Sequence, residues 1–313
     1  MKKALLLLNM GGPNNIDEVE MFLRNMFADK HILPMNRYLR TMIGNIIVNK
    51  RLDEVKENFI THLGGQSPLP CLTEQLLKKL EPRLEMPIAS AMRYVPPFVS
   101  KALHNFQKQG VEELILFPMY PQYSTTTTRS SVEDVYDQCK RLNYRPKITV
   151  IDPYYDDYDY IAMSAMKIQE AMEGADTSEY DLLLSAHGLP LSIIRAGDPY
   201  EKQIEANVSA LRIYLHERGV VFKNIKLVYQ SKVGSSAWLE PNLIDVLRNP
   251  TNRKVIIYPL AFTIDNSETL FELDIEHREV ATKIKYEDYR VARCFNDDEV
   301  FADFIAKKVK AIG

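Results

Sequence analysis

The sequence predicts an α/β protein of two similar halves, each a parallel sheet flanked by helices, on three observations. Near-continuous apolar runs recur along the chain: "KALLLLN", "PIASAM", "ELILFP", "KITVID", "DLLLSAH", "IKLVYQS" and "KVIIYPLAF". Strands this uniformly apolar are buried on both faces, and the helix-length stretches between them fit βαβ crossovers. The 313 residues also exceed the usual size of one compact domain. Finally, "LILFPMYP" and "VIIYPLAF" each carry a strand into an aromatic residue and a proline, an echo expected of two related halves.

Composition narrows the classes. A hydrophobic fraction of 46% and a charged fraction of 26% are those of an ordinary soluble globular chain, and a net charge of −3 recruits no polyanion, so no nucleic-acid partner is expected. Cys71, Cys139 and Cys294 are scattered, giving neither a disulfide framework nor paired metal ligands. The expected compartment is the reducing cytosol. The opening "MKKALLLLNMGGP" begins like a signal peptide but breaks at Asn9, and no apolar run is long enough to cross a bilayer.

In chain order, "KALLLLN" is a buried first strand. The segment 21–50 mixes Met, Phe, Leu and Ile with Arg and Lys, as an amphipathic lip over a site or on a lipid headgroup surface would, or as a plain core helix pair would. Its methionines suit an adaptable apolar wall, with Met26 and Phe27 as the expected contacts. Helices are expected over Thr73–Leu84, Val99–Gly110, Tyr160–Gly174 and Pro199–Gly219, the last three closing on glycine. "STTTTRSS" precedes a helix from about Val132 and marks the divide. The expected first domain is therefore 1–130 plus a returning C-terminal helix within 297–313, and the second is 131–296.

Ligands of parallel sheets bind beyond the carboxyl ends of the strands. Those ends read "NMGGP", "RYVPP", "MYPQYSTTTT", "SAHGLP", "QSKVGSSAWLEP" and "TIDNSETLFELDIEH", rich in Met, Tyr, Trp, Arg, Ser and Pro, which points to a large, flat, apolar ligand with a few polar groups. Gly11-Gly12-Pro13 lacks the spacing of a dinucleotide fingerprint. His187 ends the strand "DLLLSAH", where a rigidly held imidazole could exchange protons near neutral pH. A buried imidazole bonded to a carbonyl is the structural alternative. Gly188 would allow a close approach to the backbone, and Pro190 would stiffen the exit. Asp265, Glu268, Glu272 and Glu276 follow the last apolar strand, the glutamates at four-residue intervals on one helix face. Such a row is usually solvated, but one leading to a histidine could pass cations or protons. Arg93-Tyr94 and Trp238 read equally well as core or as ligand wall. The remaining histidines, His31, His62, His104, His216 and His277, have no metal-site spacing.

Taken together, "LLNMGGP", "GGQSPL", "AMRY", "PMYPQYSTTT", "SAHGLP" with "GDPY", "YQSKVGSSAWLEP" and "ETLFELDIE" resemble the ferrochelatases, in family order from near one terminus to the other. The resemblance implies two Rossmann-like domains of the chelatase type with a porphyrin cleft between them. It further implies a lyase of heme and porphyrin biosynthesis that inserts ferrous iron into protoporphyrin IX. By the same resemblance, His187 faces the macrocycle with Glu268 as its acidic catalytic partner. Asp265, Glu272 and Glu276 complete a metal-binding row with them, Met10, Arg93, Tyr94, Tyr123 and Trp238 line the pocket, and Ser67 lies near a propionate. Fe²⁺ enters as substrate. No cofactor is permanently bound, and without a carboxyl-terminal cysteine cluster no iron–sulfur centre is expected. A monomer is expected, with room for peripheral contact between the 21–50 lip and the inner membrane face. One departure stands out: many relatives carry a histidine where this chain has Asn266, which can neither act as a base nor form an imidazolium. "PQYS" and "QSKVG" look more like members that use protoporphyrin than those that use coproporphyrin. The alternatives are a chelatase for coproporphyrin iron or for cobalt, and a heme carrier without catalysis.

Overall fold

The computed structural model describes residues 2–234 and 236–312. Eight strands form two four-stranded sheets, all of whose pairings are parallel. In the first sheet β1 (Lys3–Asn9), β2 (Ile88–Met92), β3 (Glu113–Pro118) and β4 (Lys147–Val150) lie in the order β2-β1-β3-β4. In the second, β5 (Asp181–His187), β6 (Asn224–Gln230), β7 (Lys254–Pro259) and β8 (Asp288–Val291) repeat that order as β6-β5-β7-β8. Each sheet is thus built from an identical succession of strand positions.

Burial explains why β5 forms. Leu182, Leu184 and Ala186 join the cluster on one face while Leu183 joins the other, so alternate side chains of a single run all reach a core. Each fully buried leucine contributes roughly 1.5–3 kcal/mol relative to exposure. Around the sheets lie α1 (Glu18–Ala28), α2 (Arg37–Leu63), α3 (Pro68–Leu80), α4 (Val99–Lys108), α5 (Ser130–Arg141), α6 (Tyr158–Met172), α7 (Leu191–Arg195), α8 (Tyr200–Glu217), α9 (Leu243–Arg248), α10 (His277–Ile284) and α11 (Glu299–Lys310).

The chain divides into two units, Met1–Tyr120 with Ser124–Asp152 and Asp297–Gly313, and Pro121–Tyr123 with Pro153–Asn296. The expected boundary at 130 therefore shifts to 152. The reason is β4, which pairs with β3, and Lys147 Nζ sits 3.0 Å from the buried Glu113 carboxylate. By sequence alone "KITVID" falls in the second half. Residues 121–123 go the other way: the Tyr123 N–H donates to Gln203 Oε1 at 2.6 Å and Gln122 Nε2 to Asn207 Oδ1 at 3.0 Å, both acceptors on α8. In the first unit α11 packs on α3 with Phe301 and Ile305 buried, while Lys79 pairs with Asp297 (2.8 Å) and Arg83 with Glu299 (2.6 Å) and Asp303 (2.7 Å).

Two π-helices follow the third strand of each sheet, Thr125–Arg129 after β3 and Glu268–Glu276 after β7. Such wide turns, closed by i→i+5 bonds, recur at functional sites. In the 21–50 segment, Phe27 is buried with Val19, Leu23, Val48 and Phe59, and Met26 packs against them. These two are therefore core residues of the α1–α2 pair, and Gly44 is there because a Cβ would come within 3.3 Å of Phe27. The faces left open belong to α2, where Tyr38, Met42 and Ile46 are exposed.

Candidate active site

The site in the second unit is built on the end of β5. His187 is the last residue of the strand, its main-chain carbonyl accepting from the buried Tyr200 hydroxyl at 3.0 Å. Its Nδ1 lies 2.6 Å from the Gly188 carbonyl, and its Nε2 lies 3.2 Å from Glu268 Oε1 at the start of the second π-helix. Burial alone would lower the imidazole pKa. The Glu268 charge and hydrogen bond, the Glu272 charge and the Gly188 carbonyl outweigh it and raise the pKa to about 9. At neutral pH the His187 imidazole is therefore mostly protonated beside Glu268.

Glu272 is held differently. Its Oε1 accepts the Ser231 N–H at 2.8 Å, and its Oε2 accepts the Ser231 hydroxyl and Gln230 Nε2 at 3.3 Å. Ser231 adopts a left-handed backbone (φ 63°), a conformation disfavoured for serine, which aims that N–H at the carboxylate. Gln230, opposite His187 in the sheet register, also donates to the Glu268 carbonyl at 3.3 Å and accepts from the Ser185 hydroxyl at 2.7 Å. Burial raises the Glu272 pKa, the Glu268 charge adds to the rise, and the Ser231 hydrogen bonds oppose it. These contacts pin the π-helix to the ends of β5 and β6.

The expected acidic row is only partly assembled. Glu268 and Glu272 both act on the His187 imidazole, whereas Glu276 is exposed. Asp265 does not join them: it is 1% exposed and accepts from Thr269 Oγ1 (2.9 Å), Asn296 Nδ2 (2.7 Å) and the Cys294 N–H (3.3 Å). Its carboxylate braces the loop. Glu276 lies at the exposed end of the helix. Among the described residues no group of three His, Cys, Asp or Glu side chains is close enough to hold a metal; of the five residues expected to receive one, His187 and Glu268 meet and the Glu272 charge acts on the same imidazole, while Asp265 and Glu276 stand apart. Asn266 has a local role too, its Oδ1 accepting the Glu268 N–H at 2.7 Å to cap the π-helix.

At Gly188 other parts of the protein approach the backbone closely. A Cβ there would lie 3.0 Å from the Gln230 carbonyl and 3.3 Å from the Trp238 ring, which leans on the strand end. Tyr123 is partly buried and fixed through its N–H, as described above. In the first unit, Met10 follows β1 with its carbonyl accepting the Tyr94 N–H at 3.1 Å. Ser67 is buried as the N-cap of α3, accepting the Leu69 N–H at 3.3 Å, and sits where a Cβ on Gly12 would clash at 2.3 Å. Its hydroxyl is thus engaged in the helix cap. Arg93 and Tyr94, beyond β2, meet the buried Asp29 and Ser130, neither of which the sequence marks as a site residue.

His277, next to the row, is buried with its Nδ1 lacking a partner in the structure. Burial and then Arg248 lower its pKa to about 4. Native His277 is therefore neutral while the unfolded chain takes up a proton below pH 6.5. Stability should fall as pH drops from 6.5 towards 4, by about 3 kcal/mol from this group. Urea unfolding at pH 7 and pH 4 should show that loss shrinking by a similar amount in His277→Gln; an equal acid loss in both proteins would refute it.

A sequence model of the ferrochelatase family matches residues 2–312. Similar chains include the Ferrochelatase of Wolinella succinogenes, 48% identical over 99% of this chain and 98% of that one, and the Ferrochelatase of Sulfurimonas denitrificans, 46% identical over 96% of each. Among solved structures, SirB from Bacillus subtilis with Fe³⁺ superposes with a TM-score of 0.59 at 11% identity, covering 99% of this chain and 95% of that one. That likeness concerns the fold alone.

Proposed function

This chain belongs to the ferrochelatase family, and from that premise we propose how its residues insert Fe²⁺ into protoporphyrin IX, the last step of heme biosynthesis. The observation that carries the reading is the His187–Glu268 pair at the end of β5. A free-base porphyrin is planar, and two pyrrole N–H protons block its centre, so the site must bend the ring, accept protons and deliver a metal. His187 and Glu268 are the proton-handling and metal-receiving pair. Carboxylate and imidazole suit transient Fe²⁺ binding, where a thiolate nest would retain it. Glu272 positions the π-helix, and Glu276 stands at its outer end as an acid that an arriving cation meets first. In the first unit Met10, Arg93 and Tyr94 are the residues proposed to contact the porphyrin, with Ser67 against Gly12, and in the second unit Tyr123 and Trp238.

Because Fe²⁺ approaching Glu268 disfavours a neighbouring imidazolium, metal arrival itself releases the His187 proton and creates the base that the pyrrole N–H groups require. An anaerobic assay with Fe²⁺ and several porphyrins tests the reading. Metalloporphyrin formed in proportion to metal supports catalysis, whereas binding of heme without metal insertion would indicate a carrier.

No helix among the described residues is long and apolar enough to cross a membrane. Contact with a membrane surface is proposed instead for α2. Tyr38, Met42 and Ile46 are 83%, 46% and 61% exposed at four-residue spacing, and Arg37, Tyr38, Thr41 and Met42 line an open apolar hollow with a cationic rim. Replacing Tyr38, Met42 and Ile46 together with serine should weaken binding to phosphatidylglycerol vesicles by about tenfold or more while leaving the thermal midpoint near wild type. Unchanged vesicle binding would remove the membrane contact.

A further inference from the structure

Asp29 follows α1 and has no role in the reading above. Its side chain is 1% exposed, yet donors from three segments converge on it. Oδ1 accepts the His31 N–H at 2.8 Å. Oδ2 accepts the Tyr94 hydroxyl at 3.0 Å and the Ser130 hydroxyl, and lies 3.2 Å from Arg93 Nη2. Arg93 also donates from Nε to Ser130 Oγ at 2.9 Å, and its Nη1 stands 4.0 Å from Asp134. Both ionic partners of this guanidinium are therefore carboxylates, two for one cation. Nearby cations leave that balance in place. Lys30, Arg129 and His31 Nε2 all engage Glu133, at 2.8, 2.7 and 2.8 Å, and the Lys30 and Arg129 side chains are 61% and 53% exposed to solvent screening.

We propose that Asp29, supported by Asp134, is a specificity determinant: by neutralising Arg93 it makes the wall beyond β2 reject a carboxylate-bearing porphyrin edge and accept an apolar one. This rests on the lining role proposed for Arg93 and Tyr94. Protoporphyrin IX carries two propionates on neighbouring pyrroles, so its opposite edge bears only vinyl and methyl groups. Coproporphyrin carries a propionate on every pyrrole, and any edge turned to this wall brings a carboxylate. There it would meet an arginine already committed, together with two like charges. A strand-end arginine without Asp29 would act in the opposite sense, as a bidentate carboxylate receptor.

Asp29→Asn keeps the side-chain shape and removes one of the two carboxylates facing Arg93, leaving Asp134 as its ionic partner, while the single amide oxygen can accept from the His31 N–H or from the Tyr94 and Ser130 hydroxyls but not from both sets. The test measures kcat/KM with Fe²⁺ under anaerobic conditions and porphyrin Kd by fluorescence quenching, for protoporphyrin IX and coproporphyrin. The preference for the dicarboxylate porphyrin should fall by about tenfold or more, through lower KM and Kd for the tetracarboxylate one. Asp134→Asn should shift it in the same direction by less. Ser130→Ala loosens the same cluster with no change of charge and should leave the preference where it was. An unchanged preference in folded Asp29→Asn overturns the proposal, as does an equal shift in Ser130→Ala. Should Asp29→Asn fail to fold, Asp134→Asn decides in its place. If the wild-type protein binds neither porphyrin, the lining reading fails instead.

Discussion

Replacing His187 with alanine is expected to slow metal insertion by about 10²–10⁴-fold while porphyrin affinity and the thermal midpoint stay close to wild type. The side chain is a third exposed, and among the described residues it bonds to Glu268 and its neighbour's carbonyl, so its loss opens no core cavity. The strand end is anchored independently, through the Tyr200 hydroxyl and the Gly188 N–H to the Gln230 carbonyl at 2.8 Å. The raised pKa adds a second observable. With a value of about 9 the imidazole is mostly protonated at pH 7, and the neutral form that can accept a pyrrole proton increases with pH. At fixed free metal concentration, kcat/KM should therefore climb about tenfold per pH unit on the acidic side of 9 and then level. Near-normal turnover by a folded His187→Ala protein would end the assignment, whatever the pH profile.

Much of this was legible from local pattern. Seven of the eight strands were marked by apolar runs, because strands buried on both faces need no alternation. The eighth, "DYRV", is short and polar, and only its pairing with β7 reveals it. His187 was legible for a topological reason, since a titratable residue ending a buried strand faces the edge where parallel sheets bind ligands. The acidic row was legible as a spacing but not as a set of roles. Four-residue intervals state that three glutamates share a face, and nothing in them reveals that Ser231 and Gln230, some 40 residues earlier, saturate one of the three. The same holds for Asp265, whose partners Cys294 and Asn296 lie about 30 residues later. A π-helix has no composition signal, and the "FADKH" context of Asp29 marks no function. What escaped the sequence is long-range polar pairing, which depends on tertiary approach rather than on periodicity.

Those pairings make the glutamates separable by experiment. Glu268→Gln preserves size but removes the charge that holds the His187 proton and receives the metal, so turnover should fall about 10²-fold or more. The His187 pKa should drop with it, and the rising limb of the residual pH–rate profile should move to lower pH. Glu272→Gln should behave otherwise. Its carboxylate accepts from the Ser231 N–H, the Ser231 hydroxyl and Gln230 Nε2, so an amide nitrogen introduced there would face donors with a donor. Leaving a buried donor unmatched costs about 1–3 kcal/mol, which should appear as a lower thermal midpoint. Because the π-helix carries Glu268, kcat should fall as well, by less than in Glu268→Gln, and the metal concentration for half-maximal rate should scarcely move. A carboxylate serving as a way-station for iron predicts the reverse, a raised half-saturating metal concentration with kcat and stability unchanged. Kinetics and melting of the two variants side by side therefore decide whether Glu272 carries metal or holds in place the residue that does.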